Sequence, residues 1–446
     1  MIYKEKKSRL VILCFFLLAS APTIKAQIAE NKEIKLSIND VIRLSKESNK
    51  LVNVFQEKVS ASQVDLADAK MGTLPKVFTN FSYQRYTDVT LFDDVLGNSH
   101  SIPKPPNANS GGISLETSFN IYSGGRQKAI IRDAEYKNEI AAIDLKEQQA
   151  NMSLQGVMQY LDMVKLYHQK KLIMDHKTRA ITRLKNINAF YKNGKITKSD
   201  VLRADVSLSN IQLNEITNNN DYLISSQKLQ TLLGMNIHTK IVLEDTTSLY
   251  RPEIGEVKML LTDYSKAFLL LKADKGIQLQ ENRSKLTESV NFPSINLIAG
   301  YGLNYPNTLV FPPQSQTVGV GFLGVKATYD ISSLYQNKNK VQASRIRENE
   351  LKVQKEWVKD NLLQEVNALI VKYEEAINKM SVIEKSIEQA QINYDIQNAK
   401  YTNQLSLLTD FLEADNLLYE AKFNYIQANI VAISIYYRLL FITGKI

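Results

Sequence analysis

Cysteine is almost missing from this chain: among 446 residues only Cys14 carries a thiol, and it lies in a segment that reads as a removable leader. A mature chain without that segment has no disulfide, no thiolate metal site and no cysteine nucleophile. Proline is scarce too, 10 in all, with none from 107 to 251 and none after 313. Nothing in those stretches breaks a helix by removing an amide donor. Histidine is limited to His100, His168, His176 and His238, without the HExxH spacing of a zinc hydrolase. His168 sits on an apolar helical seam and Trp357, the one tryptophan, on a long helix, so packing accounts for both. Gly124-Gly125 lacks the lysine and hydroxyl of a phosphate cradle. The sequence therefore predicts no metal, no cofactor and no catalytic constellation: it is not expected to be an enzyme.

What is present begins with the leader, residues 1–26. Lys4, Lys6, Lys7 and Arg9 precede an uncharged run over 10–23, the pattern of a secretory signal and too short for a retained membrane helix. Pro22 would follow a cut at Ala21 and block it, so cleavage is expected after Ala26, leaving Gln27 first. Ile12-Leu13 ahead of Cys14 argue against lipid attachment. The formal charge of +9 includes five basic residues and one acidic residue from the leader, leaving +5. That modest charge concerns solubility. The lysines are spread along helical faces rather than gathered in a patch, so nucleic acid is not an expected partner.

The remainder says one thing twice. Residues 188–205 and 398–415, offset by 210, agree at 8 of 18 positions, including Asn188, Ala189, Tyr191, Asn193, Asp200, Leu202, Ala204 and Asp205; average composition would give roughly one. Upstream the offset is 218, pairing Pro75 with Pro293 and Tyr83 with Tyr301. A period this long is duplication of a structural half rather than a solenoid repeat. The halves are expected at 27–250 and 251–446.

Each half opens with a helical segment, 38–72 or 256–290, stopped by Leu74-Pro75 or Phe292-Pro293. The period then becomes two, giving strands at about 77–86 and 112–122, then 295–305 and 318–331. Ile113, Leu115, Thr117, Phe119 and Ile121 suit lipid, while Ser114, Glu116, Ser118 and Asn120 on the other face suit a watery lumen. The last strand changes phase, which predicts a bulge near Gly324 or a strand that starts later. About ten residues is the length that crosses an outer membrane at a tilt, although a half-buried soluble sheet also alternates. Polar loops at 88–110 and 306–316 would face outward.

Long helices follow, 126–192 and 336–402, each roughly 100 Å at 1.5 Å per residue. Their narrow apolar seams suit coiled-coil packing. Tips at 193–198 and 403–408 lead to return helices at 199–233 and 409–443. Stacking a return helix end to end with an opening helix would give each half two full-length columns. The fold class is thus mainly α with a membrane β-barrel portion. Four strands cannot close a barrel, since edges left open in lipid leave backbone groups unpaired. Two copies would give eight strands and a filled interior; three would give 12 and a conduit.

Taken together, Leu74-Pro75, the strand-to-helix turn Ile121-Tyr122-Ser123-Gly124-Gly125-Arg126, the tip from Tyr191 to Asp200, Leu232-Leu233-Gly234 and the 399–414 segment resemble the TolC-type outer-membrane efflux family over nearly the whole mature chain. The resemblance implies a homotrimer in the outer membrane of a Gram-negative bacterium, a 12-stranded barrel continued by a long periplasmic helical barrel. It also implies a passive conduit for efflux or type I secretion, docking to a periplasmic adaptor and an inner-membrane transporter of RND, ABC or MFS type. By the same resemblance the entrance gate falls on Asp410 and Glu413, with Tyr401 and Asp200, and adaptor docking on Gly194, Lys195, Ile196, Gln404, Leu405 and Ser406. Ser406 stands where the family often has arginine, which leaves an arginine latch there without its residue. A periplasmic coiled-coil adaptor or scaffold with no pore of its own is the competing expectation; it would not need two-faced strand pairs.

Overall fold

The computed structural model describes residues 33–93, 95, 97–102, 108–237, 239–244, 251–260, 263–310 and 314–446. The expected leader and parts of both expected outer loops lie outside the described residues. In the first half, β1 (Glu33–Leu36), α1 (Ile38–Glu47) and α2 (Lys50–Met71) lead to β2 (Lys76–Arg85), β3 (Val89–Phe92), β4 (Ser99–Ile102) and β5 (Asn109–Ser123). The chain continues into α3 (Arg126–Lys192), α4 (Lys198–Leu232) and β6 (Lys240–Leu243). The second half holds α5 (Ile254–Met259), α6 (Phe268–Glu288), a 3-10 turn, β7 (Ser294–Tyr305), β8 (Val318–Thr328), α7 (Ser333–Gln336), α8 (Lys338–Thr402) and α9 (Leu408–Ile442).

The helices stand as four columns. On one flank α3 packs against α2 and α4; on the other it packs against α6 and α9, which in turn pack on α8. The stacking expected of opening and return helices is present but shorter than expected, because each opening segment is broken. In the first half the break is at Ser48-Asn49. Asn49 caps α2 by accepting from the Leu51 amide at 2.8 Å, and its amide group donates to the Leu232 carbonyl at the end of α4, also at 2.8 Å. The same side chain thus satisfies an orphan donor of one helix and an orphan acceptor of the other. Just beyond α4, Gly234 lies so close that a side chain there would strike the Ser48 carbonyl, and Gly444 after α9 meets the Lys266 carbonyl in the same way. In the second half the break separates α5 from α6.

Two apolar cores flank these joints. Val41, Val157, Tyr160, Leu229 and Ile433 are fully buried in one, and Val257, Ala267, Tyr373, Ala432 and Leu439 in the other. Each large apolar side chain so buried contributes about 1.5–3 kcal/mol. Strands β1 and β6, unforeseen from the sequence, form a short parallel pair against the first core, and the Tyr160 hydroxyl donates to the Leu36 carbonyl at 3.0 Å. Helix α9 is the one described helix long and apolar enough to cross a membrane. Part of its apolar surface divides between the two cores, Ile430 and Ile433 in one and Ala432, Ile435 and Leu439 in the other.

The long strands form one antiparallel sheet in the order β2-β5-β7-β8. Its pairing keeps the expected faces: Phe81, Ile113 and Leu303 share a row on one side, while Asn80, Ser114 and Gly302 share the next row on the other. The expected bulge near Gly324 is absent; β7 and β8 pair without a shift from Ser294–Thr328 to Asn304–Val318. The irregularity lies instead between Asn120 and Tyr122 on β5, beside the turn into α3. The phase change in β8 has another cause. Val320 and Phe322 sit on the otherwise polar face, in register with Gly302 and Gly300. Strands β3 and β4 add a small hairpin within the first loop. Trp357, expected to pack, is 64% exposed on the open flank of α8.

Candidate functional site

The two tips have the same backbone and different residues. At the first, the Gly194 amide donates to the Tyr191 carbonyl and the Lys195 amide to the Phe190 carbonyl, both at 2.9 Å. This double closure ends a helix through a left-handed residue, here Gly194 with φ 70°. At the second, Gln404 and Leu405 repeat the bonds to Tyr401 and Lys400 at 3.0 and 2.8 Å, but Gln404 holds φ 62° with a full side chain. Gln404→Gly is therefore expected to stabilise this tip by about 1 kcal/mol, read as slower amide exchange across residues 400–408. Faster exchange there would contradict the strain argument. Gly194, Lys195, Gln404 and Leu405 are exposed, Leu405 at 76%, whereas Ile196 is half-buried against the tip core and Ser406 is half-buried.

The expected gate residues separate into two groups. Asp410 and Glu413 are exposed one turn apart on α9. Among the described residues Asp410 accepts only from the neighbouring Thr409 hydroxyl at 3.2 Å; the N-cap position is Leu407, which has no side-chain cap. Asp200, in contrast, is committed to a capping box, accepting from the Thr197 amide at 3.1 Å and the Thr197 hydroxyl at 2.7 Å. Tyr401 is placed inside the wall rather than at its surface. It is 8% exposed, stacked on Phe411 with ring centres 5.5 Å apart, and packed edge-on to Phe190. Burial raises the pKa of its hydroxyl, and the charge of Asp200 adds to the effect.

Sequence reasoning missed the most deeply buried charge. Asp415 on α9 has no exposed surface, and three side chains of α3 converge on it. The Arg179 Nε donates to Asp415 Oδ1 at 2.8 Å, Arg183 pairs with Oδ2, and His176 Nε2 lies 3.2 Å from Oδ2. Burial pushes the carboxyl up, but the close approach of His176 and the charges of Arg183 and Arg179 outweigh it and hold it at about 2. Aromatic faces complete the setting: Arg183 lies over Phe411 and Arg179 over Tyr394, 4.8 and 5.5 Å from their ring centres. The signal was available in the spacing. Residues 176, 179 and 183 share one helical face, and Asp415 interrupts the apolar seam of Phe411, Ala414 and Leu418.

On the sheet, Ser114, Glu116 and Ser118 are half-buried, while Ile113 and Leu115 on the opposite face are more than half exposed. With Phe81 at 81%, Tyr301 at 59%, Leu323 at 75% and Val325 at 66%, that face presents a broad apolar belt across all four strands. A soluble protein does not leave such a belt in water.

A family model described as outer membrane efflux protein matches residues 41–235 and 265–445, one segment in each half. The chain belongs to that family. Its location is thus the outer membrane and its class of work is efflux. Solved structures with the same fold include the outer membrane protein VceC of Vibrio cholerae, at TM-score 0.75 and 14% identity over 91% of this chain and 96% of that one. The CmeC outer membrane channel of Campylobacter jejuni matches at TM-score 0.72 and 14% identity, covering 92% and 85%. The open state of the MtrE outer membrane channel of Neisseria gonorrhoeae matches at 0.70 and 14%, covering 91% and 88%. No curated protein sequence matches this chain.

Proposed function

We propose that three copies of this outer membrane efflux protein close edge to edge into a 12-stranded barrel continued by a periplasmic tube of helical columns, a passive conduit for exported cargo. The observation that carries this reading is the coincidence of open flanks. The sheet ends at β2 and β8, and the helical layer ends at α2 with α4 on one side and at α8 on the other. One rotation about a common axis can therefore satisfy both layers at once. Strands in lipid require such closure, and three copies, unlike two, leave an open interior.

Asp410 and Glu413 supply the selectivity of the periplasmic entrance. Among the described residues neither has an ion pair, and three-fold symmetry would gather their carboxylates into a ring favouring cations. Asp200 and Tyr401 support this entrance through capping and packing instead of lining it. The exposed tips around Gly194, Lys195, Gln404 and Leu405 suit the hairpin of a periplasmic adaptor linked to an inner-membrane transporter of RND, ABC or MFS type, with Ile196 and Ser406 shaping the turns from beneath. Purified protein should run as a heat-dissociable trimer and form discrete channels in a planar bilayer, with Asp410→Ala raising conductance or lowering cation preference. A monomer that leaves the bilayer silent would overturn the channel reading. An Asp410→Ala trace identical to the parent would remove Asp410 from the entrance.

A further inference from the structure

One row of the sheet departs from the pattern around it. Phe78 on β2 pairs across to Glu116 on β5, Glu116 to Gly300 on β7, and Gly300 to Phe322 on β8. All four residues fall on the polar face, where neighbouring rows hold Asn80, Ser114, Gly302 and Val320 or Lys76, Ser118, Ile298 and Gly324. Gly300 explains how the row is built. A Cβ placed there would meet the Phe322 ring at 2.9 Å and the Glu116 Cγ at 3.3 Å. The glycine is thus the floor on which the Phe322 ring lies down beside the Glu116 chain. Ser114 fixes the carboxylate from the next row, its hydroxyl donating to Glu116 Oε1 at 3.2 Å. Phe78 and Phe322 remain 45% and 51% exposed, so their faces are open to whatever passes.

We infer that Phe78, Glu116 and Phe322 form a recognition collar inside the barrel for organic cations, molecules joining an ammonium group to an apolar or aromatic body. The inference rests on the channel reading, which makes the polar face the lumen. A carboxylate set between two aromatic rings offers such a molecule charge pairing, cation–π attraction and an apolar surface together. The neighbouring rows carry an aliphatic side chain, Val320 or Ile298, but neither an aromatic ring nor a carboxylate, and the bare carboxylates of Asp410 and Glu413 have no aromatic surface beside them. Lys76 and Lys326 share the face but lie in rows nearer the helices, so the collar stands on the outer side of them. Gly300 is then a specificity-determining position as well, because a larger residue there would lift Phe322 away from Glu116.

The test is single-channel recording with benzyltrimethylammonium added on the extracellular side, and benzenesulfonate and benzyl alcohol as the anionic and neutral counterparts. The cation is expected to block in a concentration-dependent way, with Phe322→Ser and Glu116→Gln each weakening the block by about tenfold while the unblocked current persists. Equal block by all three compounds, or block unchanged in both variants, would overturn the collar and leave the channel standing. Absence of current from the parent protein would overturn the channel reading first. Should a variant fail to insert, binding of a fluorescent benzylammonium probe to the detergent-solubilised parent decides between them: competition by benzyltrimethylammonium but not by benzenesulfonate supports the collar, and equal competition refutes it.

Discussion

Asp415→Asn is expected to destabilise the tube wall by about 3–5 kcal/mol, because it strands a buried guanidinium without the carboxylate that pairs with it. The Arg183 side chain is 4% exposed, and among the described residues its only ion-pair partner is Asp415. Arg179 is 26% exposed and can turn toward water, so Arg183 suffers most. Replacing both members, Asp415→Leu with Arg183→Met, should cost less than either single change, since paired removal leaves no buried charge. Thermal unfolding of the detergent-solubilised protein measures all three. The pH dependence has a definite direction. The folded-state pKa, about 2, lies below the ordinary aspartate value of 3.8, so the ionised carboxylate stabilises fully above 3.8 and loses that effect as pH falls toward 2. A parent protein whose acid loss matched that of Asp415→Asn through this window would contradict the assignment. Asp415 lies little more than one turn beyond Asp410 on α9, so loosening it should also raise channel noise at the entrance.

Leu115→Arg is expected to abolish insertion of the barrel. Leu115 is on the central strand β5, 57% exposed, with Thr79 and Tyr301 beside it on the apolar face. An arginine at such a depth costs about 2–4 kcal/mol in a membrane barrel, and symmetry would impose that cost once per copy. Ser114→Arg, one residue away, points to the opposite face and should insert normally while reducing cation conductance. The pair of variants separates lipid exposure from a general intolerance of strand β5 to charge. Heat-modifiable migration in the outer membrane fraction gives the readout. Equal insertion of both variants would contradict the assignment of faces.

Much of the architecture was legible because it rests on periodicity and punctuation. Helix α3 was expected at 126–192 and spans Arg126–Lys192, since no proline intervenes and Gly124-Gly125 and Asn193-Gly194 bracket it. The opening helix was misread as continuous because Ser48-Asn49 is a weak break by itself; its strength comes from Leu232, a partner 183 residues away. The β8 phase was misread as a bulge or a late strand start for a similar reason. Apolar residues on a polar face look like a register slip until Gly300 is placed opposite Phe322.

The duplication itself hid the buried charge. Asp205 and Asp415 are equivalent in sequence, yet Asp205 is exposed and Asp415 fully buried. Helix α4 forms an outer column and α9 an inner one between α3 and α8, so equal residues meet unequal surroundings. Tyr401 was drawn to the entrance by its place beside the tip, but proximity along the chain did not reveal that Phe190 and Phe411 enclose it. Asp410 and Asp200 divide for a local reason: Thr197 precedes one by three residues and Leu407 the other, so only one finds a hydroxyl to complete a capping box.

The joints at Gly234 and Gly444 have a mechanical meaning. Where α4 abuts the α1–α2 break and α9 abuts α6, neighbouring segments press on one another without a shared backbone, whereas α3 and α8 run unbroken past them. A butt joint transmits compression but has little resistance to tension. A push from the tips is therefore shared by all four struts, and a pull is borne by two.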